Sequence, residues 1–151
     1  MATLTIEQQA VIAEAMGILE GLLVKSDVIA ADPSAVKKFC QLQIARLEHE
    51  VFGVMFLNNH HQLIEFKTLF RGTINGASVY PREVVKEALA LNAAAVILTH
   101  NHPSGLVDPS ASDKAITRRL VKALGLMDIT VLDHIVVGLS STVSFAERGL
   151  L

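Results

Sequence analysis

Two kinds of hydrophobic pattern alternate along the chain. Some segments repeat apolar residues every three or four positions, as amphipathic helices do, and others are short apolar runs typical of buried strands. The pattern predicts helices over residues 5–25, 33–48, 81–92 and 110–124 and strands over residues 51–57, 62–70, 93–99, 130–139 and 143–145. Because helices alternate with strands, we expect a single α/β domain in which a sheet is flanked by helices.

Local signals mark the beginnings of several elements. Thr5 followed by Gln8 is typical of a capping box at the start of the first helix. Asp32 followed by Pro33 places an N-cap residue before a proline at the first helical position, which indicates the start of the second helix. Residues 58–61 are polar and predict the turn of a β-hairpin.

The first helix is predicted to present one apolar face at helical spacing. That face comprises Val11, Ile12, Ala15, Leu19, Leu22 and Leu23. We expect residues 1–30 to form a helical appendage to a main domain of residues 31–151. The apolar face of this helix is a candidate contact for a homodimer.

Composition narrows the class of protein. The chain has 151 residues, of which 51% are hydrophobic and 19% charged, which is enough apolar material for one substantial core. A net charge of −2 excludes a globally basic nucleic-acid-binding protein. The single cysteine excludes an internal disulfide and a cysteine-based zinc site. We expect a cytoplasmic protein, because no apolar run is long enough to span a membrane and the first residues lack the pattern of a signal peptide.

Candidate chemistry begins where a predicted buried strand ends. His100 and His102 directly follow the apolar run of that strand, and Pro103 favours extended geometry in the residue before it. Residues two apart in an extended segment point to the same side. Two imidazoles on one side predict a pair of metal ligands.

A third ligand is expected downstream. Asp113 falls in the first turn of the fourth predicted helix, where the helix dipole favours a carboxylate. Asp108 is the alternative, although a ligand carried on a helix is held more rigidly than one on a loop. Ser110 and Asp113 also have the spacing of a capping box, which needs no metal.

The combined spacing His100-x-His102-x7-Ser110-x-x-Asp113 resembles the signature of the JAMM zinc metalloproteases. Longer stretches, from about residue 30 to the C-terminus, resemble the RadC family. They are Phe70-Arg-Gly-Thr-Ile, Ala77-Ser-Val-Tyr-Pro-Arg-Glu-Val-Val, Ala95-Val-Ile-Leu-Thr-His-Asn-His-Pro-Ser-Gly, Leu132-Asp-His-Ile-Val-Val-Gly and Ser144-Phe-Ala-Glu-Arg-Gly. The resemblance implies a JAB/MPN fold, with a mixed sheet similar to that of cytidine deaminases.

The resemblance also implies roles for individual residues. It makes His100, His102 and Asp113 the ligands of one Zn²⁺ ion, and Ser110 the donor to a developing oxyanion. The general base is implied to be a glutamate at the start of a core strand. Glu50, in Glu50-Val51-Phe52-Gly53, matches best, and Glu48 remains its competitor. The implied reaction is zinc-dependent hydrolysis of a peptide or isopeptide bond in a peptide or protein substrate. The alternative for either glutamate is a solvated carboxylate at a helix end with no catalytic role.

The remaining histidines have weaker interpretations. His134 is either a group that supports the metal site or a hydrogen-bonded core histidine. His49, His60 and His61 are predicted to lie on the surface.

Other functions remain open from the sequence. Lys114, Arg118 and Lys122 recur at four-residue spacing with Arg119 beside them, which would suit a DNA-associated protein or a metal-dependent nuclease. No exposed aromatics are interleaved for base stacking, and the N-terminal segment is too short for the helix-hairpin-helix of longer RadC-like proteins. A nucleobase deaminase is excluded because its zinc site needs two nearby cysteines. A non-catalytic interaction module is the last alternative.

Overall fold

The computed structural model describes residues 3–25, 32–72 and 79–151. Its helices are α1 (Ile6–Lys25), α2 (Pro33–Ile44), α3 (Pro81–Ala90) and α4 (Ala111–Gly125), and its strands are β1 (Val51–Leu57), β2 (Leu63–Arg71), β3 (Ala95–Asn101), β4 (Thr130–Val137) and β5 (Thr142–Ser144). The predicted α/β class and order of elements are confirmed. None of the helices in these ranges is long and apolar enough to cross a membrane.

The five strands form one mixed sheet with the order β2-β1-β3-β4-β5. β3 lies at its centre, antiparallel to β1 and parallel to β4. A parallel neighbour requires a crossover connection, and α4 provides it between β3 and β4. The carboxyl end of β3 and the amino end of α4 are therefore brought to the same edge of the sheet, joined by a short loop.

Both faces of the central strands are covered. Every residue of β1 and β3 is buried, as expected for strands enclosed on both sides. On one face, Met55 and Ile97 pack against Phe39 of α2. On the other face, Phe56 and Leu98 pack in a cluster with residues of α3 and α4. Because side chains alternate along a strand, residue 100 belongs to the α4 face and residue 101 to the α2 face.

Two predicted boundaries were wrong in ways that matter for function. α2 ends at Ile44 rather than at residue 48, so Glu48 and Glu50 lie in the connection to β1. β3 continues to Asn101 instead of stopping at residue 99. Asn101 extends β3 by pairing with Val137 of β4, and its side chain bonds to the backbone of the connection that follows α2.

The first helix begins as predicted, with a reciprocal capping box between Thr5 and Gln8. Its predicted apolar face is only partly buried. Ile12, Ala15 and Leu19 are half-buried, whereas Val11 and Leu22 are exposed. Leu19 packs at the edge of the α2-side core, so the helix uses a narrower stripe than the sequence indicated. The side chain of Leu23 and the boundary at residue 30 lie outside the described part.

Phe39 tests how much the α2-side core contributes to stability. Its side chain is fully buried and meets Phe66 edge to face, with 5.7 Å between ring centroids. Phe39→Ala is expected to lower the free energy of unfolding by about 3–5 kcal/mol, because it leaves a cavity. The control Phe39→Leu, which keeps most of the volume, is expected to cost less than about 1.5 kcal/mol. Urea denaturation measures both, and equal losses for the two variants would contradict this packing.

Candidate metal centre

His100 and His102 lie at the carboxyl end of β3 with their rings on the α4 side of the sheet. Their two Nε2 atoms are 2.9 Å apart. His100 is fully buried and stacks near Phe52, whereas the His102 side chain is 14% exposed. The predicted pairing of the two imidazoles is therefore present, and solvent reaches it from the His102 side.

Asp113 is positioned by the first turn of α4. Ser110 is the N-cap, and its Oγ accepts a hydrogen bond from the N–H of Asp113 at 3.0 Å. In return, Oδ2 of Asp113 accepts one from the N–H of Ser110 at 2.7 Å. The same buried carboxylate lies 3.3 Å from the Nε2 atoms of both His100 and His102. The capping box and the three-residue cluster thus coexist, because one carboxylate serves both.

The donor atoms of the three side chains suit a cation. His102 Nδ1 lies 2.6 Å from the carbonyl oxygen of Leu106, which can only accept, so the neutral ring carries its proton on Nδ1 and a lone pair on Nε2. Asp113 Oδ1 is buried and, within the described residues, has no hydrogen-bond partner. The His100, His102 and Asp113 group could therefore hold a metal ion.

The electrostatics of the cluster are strongly coupled. Burial alone would raise the pKa of Asp113, but the imidazoles of His100 and His102 outweigh it and hold that pKa well below its ordinary value. The hydrogen bond to Asp113 raises the pKa of His102 against the opposing effect of burial, and Glu50 adds a smaller attraction. Perturbed titration of this kind is typical of functional sites.

The alternative ligand Asp108 does not join the cluster. Its side chain is 85% exposed and accepts a hydrogen bond from Arg148 Nη1 at 3.0 Å. It does line the groove above the cluster, which has a volume of about 280 Å³. The residues lining this groove are Glu50, His102, Ser104, Leu106, Asp108, Ser110 and Asp113.

The two candidate bases are separated by their positions. Glu50 is half-buried and lines the groove, directly before β1 begins. Glu48 is exposed and does not line it. The structure therefore brings Glu50 and Ser110 to the same groove as His102 and Asp113, whereas Glu48 lies outside.

Asn101 was missed by the sequence reasoning. Its Oδ1 accepts from the N–H of Val51 at 2.8 Å, and its Nδ2 donates to the carbonyl oxygens of Leu47 and His49 at 3.3 and 3.0 Å. These bonds fix the segment on both sides of Glu50. The signal was available in the sequence, because a residue between two same-side histidines of a strand must point to the opposite face.

His134 lies behind His100, deep in the protein. Its Nε2 is 2.8 Å from His100 Nδ1, and its Nδ1 is 2.6 Å from Thr117 Oγ1. The ring is fully buried, and burial holds the pKa of His134 well below its ordinary value. His134 is therefore a hydrogen-bonded core histidine, as one of the two interpretations expected, and it contacts a member of the cluster. A role in supporting a metal stays a prediction.

The other polar candidates lie elsewhere. His60 is exposed, His49 and His61 are half-buried, and none of them belongs to the cluster. Arg118, Arg119 and Lys122 are exposed on α4 and Lys114 is half-buried. A contact between these cations and nucleic acid stays a prediction.

Known proteins are similar to this chain over most of its length. The sequence profile of the RadC-like JAB domain family matches residues 30–150. A UPF0758 protein of Methylibium petroleiphilum is 64% identical over 119 residues, which are 79% of this chain and 54% of that protein. A UPF0758 protein of Vibrio cholerae is 56% identical over 144 residues, covering 95% of this chain and 90% of that protein.

A UPF0758 protein of Leptothrix cholodnii is 54% identical over 145 residues, covering 96% of this chain and 65% of that protein. The chain thus spans between about half and nine-tenths of the length of the relatives it matches. The names of these relatives state no reaction, so the chemistry of the site has to indicate one.

The opposite pKa shifts of two histidines predict how the metal-free protein responds to pH. The pKa of His102 is raised, so its stabilising effect is complete below about pH 6.5 and is lost as the pH rises through the folded value. The pKa of His134 is lowered, so its effect is complete above about pH 6.5 and is lost as the pH falls. Thermal unfolding in a chelator, followed from pH 5 to 8, is expected to show maximal stability near pH 6.5.

Asp113→Asn is the matched control, because it removes the charge that raises the pKa of His102 and keeps an oxygen that can cap the helix. This variant is expected to lose the decline on the alkaline side and to retain the decline on the acidic side. A wild-type protein whose stability keeps rising from pH 6.5 to 8 would contradict the coupling of His102 to Asp113.

Proposed function

This chain belongs to the RadC-like JAB domain family, and we propose that it is a zinc-dependent hydrolase of peptide or isopeptide bonds. The observation that carries the proposal is the convergence of His100, His102 and Asp113, two of which line a groove together with Glu50 and Ser110. JAB domains include metalloproteases, and this groove gathers the residue types that their chemistry requires.

Zinc fits the donor set better than magnesium or calcium. Two imidazoles and one carboxylate are ligands typical of catalytic zinc, which keeps three protein ligands and one open position. Magnesium and calcium prefer sites built from oxygen ligands. Because the cluster opens to solvent on the His102 side, it leaves room for a water molecule or a substrate oxygen.

His100, His102 and Asp113 would hold the zinc ion, which would supply an acidified water and a polarised carbonyl group. Glu50 then accepts a proton from the attacking water and returns it to the leaving nitrogen of the broken amide bond. Ser110 keeps its own hydroxyl proton for donation, because its Oγ already accepts from Asp113 N–H. That proton is directed to the developing oxyanion. Asn101 holds the backbone around Glu50 and keeps this base at the groove.

Metal content is the first prediction of this proposal. Protein purified without chelator and supplied with zinc is expected to carry about one zinc ion per chain, as measured by mass spectrometry. Asp113→Ala is expected to lose the metal. Ser110→Ala is the matched control, because both changes break the capping box at a cost of about 1 kcal/mol but only the first removes a ligand.

The outcomes separate the alternatives. Zinc in neither the wild type nor Ser110→Ala would contradict the proposal and leave a non-catalytic interaction module. A wild type that binds zinc and also binds DNA with strong salt dependence, without cleaving peptides, would favour a nucleic-acid function that uses the α4 cations.

Glu50 provides the prediction about catalysis. Glu50→Gln is expected to keep zinc and to lower the turnover rate by about 10²–10⁴-fold, because the proton acceptor is removed while the ligands stay. The probe is a pooled library of linear and isopeptide-branched peptides, with cleavage products identified by mass spectrometry.

Glu48→Gln is the control for that experiment, since Glu48 is exposed and lies outside the groove. It is expected to cleave at the wild-type rate. Equal rates for Glu50→Gln and the wild type would overturn the assignment of the base, and no cleavage by the wild type would count against the hydrolase itself.

A further inference from the structure

We propose that His134 and Thr117 are positioning residues that fix the tautomer of His100, so that His100 presents an unprotonated Nε2 to the metal. The inference rests on the proposed zinc site. It assigns a task to two buried polar residues outside the three-residue cluster, and it follows from the direction of three consecutive hydrogen bonds.

The direction is set at the far end of the chain of bonds. Thr117 Oγ1 lies 2.6 Å from the main-chain carbonyl oxygen of Asp113. A carbonyl oxygen can only accept, so the single hydroxyl proton of Thr117 is committed to that bond. Thr117 Oγ1 can then only accept from its second neighbour, His134 Nδ1, which is 2.6 Å away. His134 therefore carries a proton on Nδ1.

The next bond transmits this choice to the cluster. His134 is fully buried, with Phe145 stacked on it at 4.6 Å and Phe52 edge-on at 5.5 Å, and these surroundings favour a neutral ring. A neutral ring protonated on Nδ1 has only a lone pair on Nε2. That atom lies 2.8 Å from His100 Nδ1, which must therefore donate the proton of the bond. The lone pair of His100 is left on Nε2, the atom nearest His102 and Asp113.

Both imidazoles of the cluster are thus oriented from a backbone carbonyl. His102 Nδ1 meets the carbonyl oxygen of Leu106 directly. For His100 the orientation is set by the carbonyl oxygen of Asp113 through the side chains of Thr117 and His134. A histidine that ligates a metal commonly donates its other N–H to such a partner, which fixes the ring and its tautomer. Here the partner is a neutral histidine whose own tautomer is fixed by Thr117.

A pair of variants at Thr117 tests this chain. Thr117→Val has nearly the same shape but no hydroxyl, so His134 loses the acceptor that holds its proton on Nδ1. Thr117→Ser keeps the hydroxyl and loses only a methyl group. Zinc affinity, measured by competition with a chromophoric chelator, is expected to fall by about 10–100-fold in Thr117→Val. The serine variant is expected to stay near the wild-type affinity.

Nitrogen-15 NMR of the imidazoles gives a second readout that does not depend on zinc. In zinc-free wild-type protein at pH 8, His100 is expected to carry its proton on Nδ1 and none on Nε2. Thr117→Val is expected to show a mixture of the two tautomers, and Thr117→Ser the wild-type pattern. A merely structural role of Thr117 would not change this proton distribution.

We call the three bonds that run from Thr117 through His134 to His100 the relay. The results distinguish the relay from the proposed function. A wild-type His100 protonated on Nε2 in the zinc-free protein would overturn the relay, whether or not any variant folds. Equal zinc affinities for the valine and serine variants would also overturn it. A wild type that shows the expected tautomer and binds no zinc would leave the relay in place and contradict the proposed hydrolase.

Discussion

The alternation of side chains at the end of β3 is the constraint on which the site depends. His100 faces α4, Asn101 faces the connection before β1, and His102 returns to the α4 side. β3 is held in register by neighbours on both sides, so these directions are set by the sheet and not by the loop that follows. One strand end thereby orients two candidate ligands and the backbone that carries the candidate base.

Much of this arrangement could be read from the sequence because it is local. The spacing of two imidazoles in an extended segment, and a carboxylate in a first helical turn, follow from backbone geometry alone. The class of fold followed from the order of helical and strand patterns. The choice of Asp113 over Asp108 followed from the greater rigidity of a ligand carried on a helix, and Asp108 is instead paired with Arg148 in the structure.

The parts that could not be predicted depend on contacts between distant residues. The connection after α2 is held by bonds from Asn101, which lies more than 50 residues away. Local helix propensity carries no information about such a bond, so the sequence pattern predicted a helix that extends beyond Ile44. Thr117 was missed for a related reason. Its spacing from Asp113 placed both residues on one face of α4. The role of Thr117, however, depends on its hydrogen bond to His134 of β4.

The capping box at the start of α4 has a consequence for how the fold depends on a metal ion. Ser110 fixes the carboxylate of Asp113 through bonds that belong to the helix, so the ligand is ordered by folding itself. In small zinc modules the reverse holds, and the chain unfolds when its metal is withdrawn. Here the helix cap would hold the candidate ligand in place without an ion. Under the proposed function, a change in zinc supply would then switch the site off and on without unfolding the chain.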